Sequence, residues 1–361
     1  MSYLEQDATT ATADGLRAKS GLKVVAIGGG TGLSALLRGL KRYVVPPGGG
    51  HVLEKFQIAE LSAVVTVSDD GGSSGRLRKE LNMLPPGDIR NCIVALSQDE
   101  TLLSRLFQHR FEKGPGLEGH SFGNLFLAAL TSITGDFAEA VRLSSEILLT
   151  RGRIFPATTC NIELEAVMED GSRVRGETRI TASKGRIKEL VLVPSDPEPL
   201  PQTLEAIKRA DVITIGPGSL FTSLIPNLLV RGIAAAIADS AAARVYVCNL
   251  MTQANESLGR TAADHIRALN AHAGTNIFDY ALINRKPVST DLQTKYALEG
   301  ASQIVTDMGE IEKLGVTPVL GDYLEEAGVA RHASARVAHD LLELHGRSRR
   351  EKTESAAART V

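Results

Sequence analysis

The chain of 361 residues contains no tryptophan, and aromatic residues make up only 4% of it. A platform for stacking bases needs several aromatic rings, so this scarcity argues against recognition of single-stranded nucleic acid. Net charge is equally scarce. Forty lysines and arginines against 42 aspartates and glutamates leave −2, too little to draw the chain to nucleic acid or to an anionic membrane. The three cysteines, Cys92, Cys160 and Cys248, lie far apart with no CxxC spacing, the pattern of buried thiols in a reducing compartment. The opening MSYLEQDATTATADGLRAKSG has no apolar core and is not a secretory signal. Apolar runs such as 228–238 are too short and interrupted to span a bilayer. The protein therefore reads as cytoplasmic, with no nucleic-acid partner and no membrane span.

A hydrophobic share of 43% and a charged share of 23% suit a globular protein with a large core. Residues 1–21 have the composition of a disordered leader. From residue 22 the pattern alternates. KVVAI (23–27) predicts a buried strand, 34–43 a helix, PPGGGH (46–51) a turn, and AVVTV (63–67) a second strand. That order predicts a parallel sheet with a right-handed crossover. Helices are expected at 88–97, 100–112, 122–134 and 136–149. Residues 157–194 switch to short alternating runs broken by Asp170-Gly171 and Lys184-Gly185, the texture of a small antiparallel insert. A second α/β unit follows, with strands at 211–215, 244–250 and 280–284 and helices at 219–231 and 260–272. A last helix is expected at 324–345, then a charged flexible tail at 346–361. The reading is one α/β domain over 22–345 that carries a β-rich insert.

Glycines after a buried strand let backbone N–H groups approach an anion, and the next helix N-terminus adds partial positive charge. Gly28, Gly29, Gly30, Thr31 and Gly32 form such a turn. The dinucleotide fingerprint needs Gly or Ala at its third position, where Leu33 stands, and no Walker lysine follows. The second strand leads into Asp69-Asp70 and a glycine-serine stretch, Gly71, Gly72, Ser73, Ser74 and Gly75, read as a flexible loop rich in donors. The paired aspartates suit ribose hydroxyls or a divalent cation. In LPPGDIRN, Asp88 is placed to cap a helix, with Arg90 and Asn91 on the same turn as candidates for the crevice. GHSFGN puts His120 and Asn124 four residues apart, with Asn124 the better ligand candidate. A second glycine turn, Gly216-Pro217-Gly218-Ser219, offers free amides and the Ser219 hydroxyl, and Asn249, before Met251, Thr252 and Gln253, would line the same rim.

GGGTGLSALLRGL, VTVSDDGGSSGRLR, PPGDIRN, GHSFGNLFLAAL, IGPGSLFTSLIPNLLV and CNLMTQ, in this order, resemble the bacterial gluconeogenesis factor family, YvcK. That family is related to 2-phospho-L-lactate transferase of deazaflavin cofactor synthesis. The resemblance covers most of 22–345 and implies a Rossmann-like three-layer fold. It also implies a cytoplasmic regulatory protein that binds a UDP-sugar, notably UDP-N-acetylglucosamine, and supports cell shape and envelope synthesis on gluconeogenic carbon. A protein partner in envelope metabolism and a homodimer are the macromolecular partners to expect. The alternative is a transferase of the phospho-lactyl type, with Mg²⁺ held by Asp69 and Asp70.

Overall fold

The computed structural model describes residues 21–46, 55–98, 102–183 and 185–358. The expected leader, apart from Gly21, and most of the 46–51 turn fall outside these residues. Twelve strands are described in chain order. They are β1 (Leu22–Gly28), β2 (Ile58–Val65), β3 (Arg153–Pro156), β4 (Glu163–Met168), β5 (Arg173–Arg175), β6 (Ile187–Val193), β7 (Val212–Ile215), β8 (Ala243–Val247), β9 (Tyr280–Asn284), β10 (Thr317–Gly321), β11 (Leu324–Glu326) and β12 (Ala330–His332). Seven form one parallel sheet in the order β10-β9-β8-β7-β1-β2-β3. The chain runs outward from β1 to β3, returns to β7 beside β1, and runs outward the other way. Right-handed crossovers in the two directions put helices on both faces. VITI of β7 and YALIN of β9 are accordingly buried at every residue. The strand order reverses between β1 and β7, and their carboxyl ends open the crevice where ligands bind in sheets of this kind.

Helix Gly30–Lys41 leaves β1 and packs between helices Gly87–Leu96 and Ser334–Ala358. Leu33, Leu36, Leu37 and Leu40 recur on one face and share a core with Val337, Leu341 and Leu342. Gly39 lets the last helix come close, because a Cβ there would stand 2.2 Å from the Ser334 carbonyl oxygen. The insert is antiparallel, in the order β5-β4-β6. It adds helix Glu177–Ala182, and Asp170 closes its first hairpin by accepting from the Ser172 amide at 2.9 Å.

Several boundaries differ from expectation. The glycine-serine stretch read as a flexible loop is the start of helix Gly72–Leu81. Gly72 turns the chain with a φ of +46°. Gly75 then allows a packing in which a Cβ would lie 1.9 Å from the Asp70 carbonyl oxygen. The helix expected at 219–231 is a π-turn, Leu220–Leu224, followed by the short helix Ile225–Leu228. Pro226 has no N–H to continue an α-ladder, which accounts for the wider turn. The first part of the helix expected at 324–345 is the β11–β12 hairpin, turned at Gly328 with a φ of +70°. The segment expected as a flexible tail from 346 is helical through Ala358. Cys92 and Cys248 are buried free thiols, while Cys160 is only half-buried.

If the Gly39–Ser334 contact holds the last helix, Gly39→Ala lowers stability by about 1–3 kcal/mol, the usual cost of overpacking. Urea unfolding measures this, and an unchanged midpoint would mean that the last helix docks without that contact.

Candidate functional site

Two glycine turns meet at the reversal point. After β1, Gly29 is so placed that a Cβ would lie 2.7 Å from Thr66 Cγ2 and 2.8 Å from Asp88 Oδ2, and Gly30 turns with a φ of +63°. A Cβ at Gly32 would stand 2.4 Å from the Pro217 carbonyl oxygen, so this turn is pressed against the second one. The first bond inside the helix runs from the Leu33 amide to Gly29 O. The Gly30, Thr31 and Gly32 amides therefore have no partner within the helix. Asp88 accepts from the Gly30 amide. The Thr31 and Gly32 amides face a crevice of about 280 Å³.

Asp88 is not the helix cap expected of it. Pro86 holds that position, and Asp88 sits within the first turn of Gly87–Leu96. Burial pushes its carboxyl up to about 6, against the pull of the Gly30 amide, and the charge of Asp69 raises it further.

The second turn differs from the first. Gly216 has a φ of +86° and takes a position where a Cβ would lie 2.8 Å from the Val247 carbonyl oxygen. Three of the amides expected to be free are occupied. Gly218 N donates to Asn249 Oδ1 at 3.2 Å, and Asn249 Nδ2 returns a bond to the Gly218 carbonyl at 2.8 Å. Phe221 and Thr222 N donate to Glu256 Oε1 at 2.7 and 2.9 Å. Glu256 is buried, which raises its pKa, while these amides pull it down. A carboxylate of the chain itself thus takes the place that an anion would have at this turn.

Of the residues expected at the site, Gly29, Gly30, Thr31, Gly32, Gly218, Ser219 and Asn249 line the crevice. Gly28 ends β1 beneath it, its carbonyl accepting from the Thr66 amide at 3.0 Å. Gly216 shapes the second turn from behind. Asp69, Asp70, Gly71, Gly72, Ser73, Ser74, Arg90, Asn91 and Asn124 do not line this crevice. Sequence reasoning placed Asn249 on the rim but not Met251, Thr252 and Gln253, which follow it and line the crevice as well. It missed Ser223, Tyr296 and His332, which also line the crevice. Gln253 Nε2 donates to Ser219 Oγ at 2.9 Å, and its Oε1 is buried with no hydrogen-bond partner. His332 Nε2 donates to the Cys248 carbonyl at 3.0 Å, and burial holds its pKa down to about 4. Tyr296 and His332 belong to no motif, and only the fold brings them here.

The two aspartates expected to share a metal diverge. Asp69 Oδ1 accepts from the Gly71 amide at 2.9 Å. Asp70 Oδ1 turns to the insert and accepts from Thr178 N at 2.8 Å and Thr178 Oγ1 at 2.5 Å. It caps helix Glu177–Ala182, whose own N-cap, Gly176, has no side chain to do so. Glu177 comes from the same turn, and Ser68 Oγ reaches its Oε2 at 3.5 Å. Burial, with the charges of Asp69, Asp88 and Asp70, pushes the Glu177 carboxyl up to about 9. Among the described residues, the metal-like grouping of three ligands is His339, Asp340 and Glu343, away from this region. Asp69 and Asp70 thus each commit Oδ1 to a different partner of the fold.

The family model of CofD, 2-phospho-L-lactate transferase, matches residues 24–324. The chain belongs to the CofD family. It is 50% identical over 322 residues to a Halalkalibacterium halodurans protein named gluconeogenesis factor, with 89% of this chain and 95% of that one covered. A Bacillus subtilis protein of the same name is 46% identical over 323 residues, covering 89% and 98%. A crystal structure of a Bacillus halodurans protein matches with a TM-score of 0.84 at 49% identity, covering 90% of this chain and all (100%) of that one. In this CofD-family chain no helix among the described residues is long and apolar enough to cross a membrane.

Two predictions follow from the contacts of the insert. Asp70→Ala removes the cap on Thr178 and lowers unfolding free energy by about 1 kcal/mol in chemical denaturation; unchanged stability would release Asp70 from this role. Glu177 ionises near 4.5 when unfolded and only near about 9 in the fold, so its contribution is full at low pH and falls as pH rises between these values. Glu177→Gln cannot ionise, so the variant should melt higher than the parent at about pH 9 and close to it at about pH 5. A gap in melting temperature that does not widen with pH would show that Glu177 is already charged in the fold.

Proposed function

We propose that this protein is a cytoplasmic regulator that binds a nucleotide-sugar, UDP-N-acetylglucosamine, and supports cell shape and envelope synthesis during gluconeogenic growth. The observation that carries the binding reading is the open N-terminus of helix Gly30–Lys41 at the reversal point of the sheet. Its Thr31 and Gly32 amides are donors for the diphosphate. The rim offers the Ser219 hydroxyl and the unmet Gln253 Oε1 as partners for ring N–H or hydroxyl groups. The regulatory side of the reading rests on likeness to proteins named gluconeogenesis factor.

A second reading, a transferase acting on a nucleoside-diphosphate donor, is favoured by the family's name and by the carboxylates of Asp69 and Asp88 beside the first turn.

Calorimetry with UDP-N-acetylglucosamine and GDP, with and without Mg²⁺, separates the two. The regulatory reading expects UDP-sugar binding without metal and no turnover, and it fails if the UDP-sugar does not bind at millimolar concentration. Gln253→Ala should weaken UDP-sugar binding about tenfold, the worth of one buried hydrogen bond, with thermal unfolding nearly unchanged. Equal affinity in that variant would put the ligand elsewhere.

A further inference from the structure

Several arginines of this protein are matched to carboxylates. Arg142 meets Glu139 and Glu146, Arg209 meets Glu60 and Glu205, Arg231 meets Asp196 and Glu198, and Arg244 meets Asp279. Arg76, Arg90 and Arg110 instead gather around the segment that carries Gly119, His120 and Gly123. Arg76 Nη2 donates to the Glu118 carbonyl at 2.6 Å, Arg110 Nη1 to the Gly119 carbonyl, and Arg90 Nη2 to Asn91 Oδ1 at 2.7 Å. All three acceptors are neutral, and among the described residues none of the three arginines has an ion-pair partner.

They are also neighbours. Arg76 Nη2 lies 3.2 Å from where a Cβ of Gly119 would stand, and the Arg90 side chain packs on Gly123. The charges of Arg76 and Arg110 both bear on His120, and that of Arg110 bears on Arg90. The segment that carries Arg110 and His120 is pinned by Phe111 N to His120 O at 2.9 Å and Phe122 N to His109 O at 2.8 Å. Burial and the charge of Arg110 lower the Arg90 pKa, against the pull of Asp88 and Asp69, and Glu80 faces His120 from helix Gly72–Leu81.

A buried polar chain lies beneath these arginines. Asn124 Nδ2 donates to Ser73 Oγ at 3.1 Å, and Ser73 Oγ lies 2.9 Å from His120 Nδ1. Asn124 is 2% exposed. Two buried atoms here have no hydrogen-bond partner, the donor Arg90 Nε and the acceptor Asn124 Oδ1. Buried polar groups are rarely left unmet, since each forfeits its bonds to water. Gathering three guanidiniums also costs repulsion that a multiply charged oxyanion would offset, through charge-assisted bonds suited to the guanidinium fork.

We propose that Arg76, Arg90 and Arg110 form an anion-binding subsite for a small phosphate monoester that carries a hydroxyl group. The guanidiniums and Arg90 Nε take the phosphate oxygens, and the hydroxyl donates to Asn124 Oδ1. None of the three arginines lines the glycine crevice, and the subsite does not depend on the identity of the ligand bound there.

Calorimetry on the full chain with glycerol 3-phosphate, inorganic phosphate and glycerol tests this. Glycerol 3-phosphate should bind, inorganic phosphate should bind more weakly, and glycerol should not bind. Arg110→Gln and Arg76→Gln, at an exposed and a half-buried position, should each weaken glycerol 3-phosphate by about tenfold. Both should keep the parent's melting temperature and its response to UDP-N-acetylglucosamine. Gln253→Ala should leave glycerol 3-phosphate binding intact. The proposal is overturned if glycerol 3-phosphate does not bind at about 10 mM, or if both arginine variants bind it as the parent does. It is overturned equally if Gln253→Ala abolishes that binding while the arginine variants retain it, which would place the phosphate in the glycine crevice. A UDP-sugar that fails to bind, beside an arginine-dependent glycerol 3-phosphate site, would sink the crevice reading and leave this one standing.

Discussion

The close approach of two glycine turns is the constraint on which the site depends. β1 and β7 are adjacent parallel strands that end at the same level, and such strands lie only about 4.8 Å apart. The turns that leave them must share one small space. At Gly32 the main chain of the second turn fills the position a Cβ would need, and at Gly29 the Thr66 and Asp88 side chains do. Any larger residue would push the turns apart and tilt helix Gly30–Lys41 away from the gap. With glycine there, the first turn of that helix points its amides into the crevice while its leucines remain in the core.

The two turns look alike as sequence, but they are not equivalent. At the first, Asp88 takes the Gly30 amide and leaves those of Thr31 and Gly32 open. At the second, Glu256 and Asn249 take three amides between them. The difference comes from residues far along the chain, which occupy three amides of the second turn. The Asn249–Gly218 pair makes the second turn a rigid wall, and Ser219 and Gln253 supply polarity along its rim.

The parts legible in the sequence were those set by local pattern. Buried strands such as VVAI and ALI read correctly because both sheet faces are covered and every residue is apolar. The antiparallel insert read correctly from its alternation and its Asp170-Gly171 turn. Short elements were missed where the pattern is weak. β3 and β10 each offer only a few apolar residues, and helix Glu177–Ala182 depends on a cap from Asp70, 108 positions earlier in sequence. The glycine-serine stretch was misread because composition suggested a loop, whereas packing on the Asp70 carbonyl favours a helix with glycine at position 75. Tyr296 and His332 could not be foreseen at the crevice, since neither stands in a motif.

Family membership alone does not decide what the crevice does, because one fold carries a transferase name and also relatives named for a role in gluconeogenesis. The charge pattern narrows the choice of orientation. Asp69, Asp88 and Glu177 crowd one end of the polar region, so strongly that Glu177 holds its proton up to about 9. A diphosphate placed at that end would meet like charge, whereas at Thr31 and Gly32 it meets open amides and the positive end of a helix. For the nucleotide-sugar proposed above, this charge pattern favours its phosphates at the glycine turn and its neutral ring toward the carboxylates. A nucleotide-sugar divides its charge in this way along its length, and a fully charged acceptor does not.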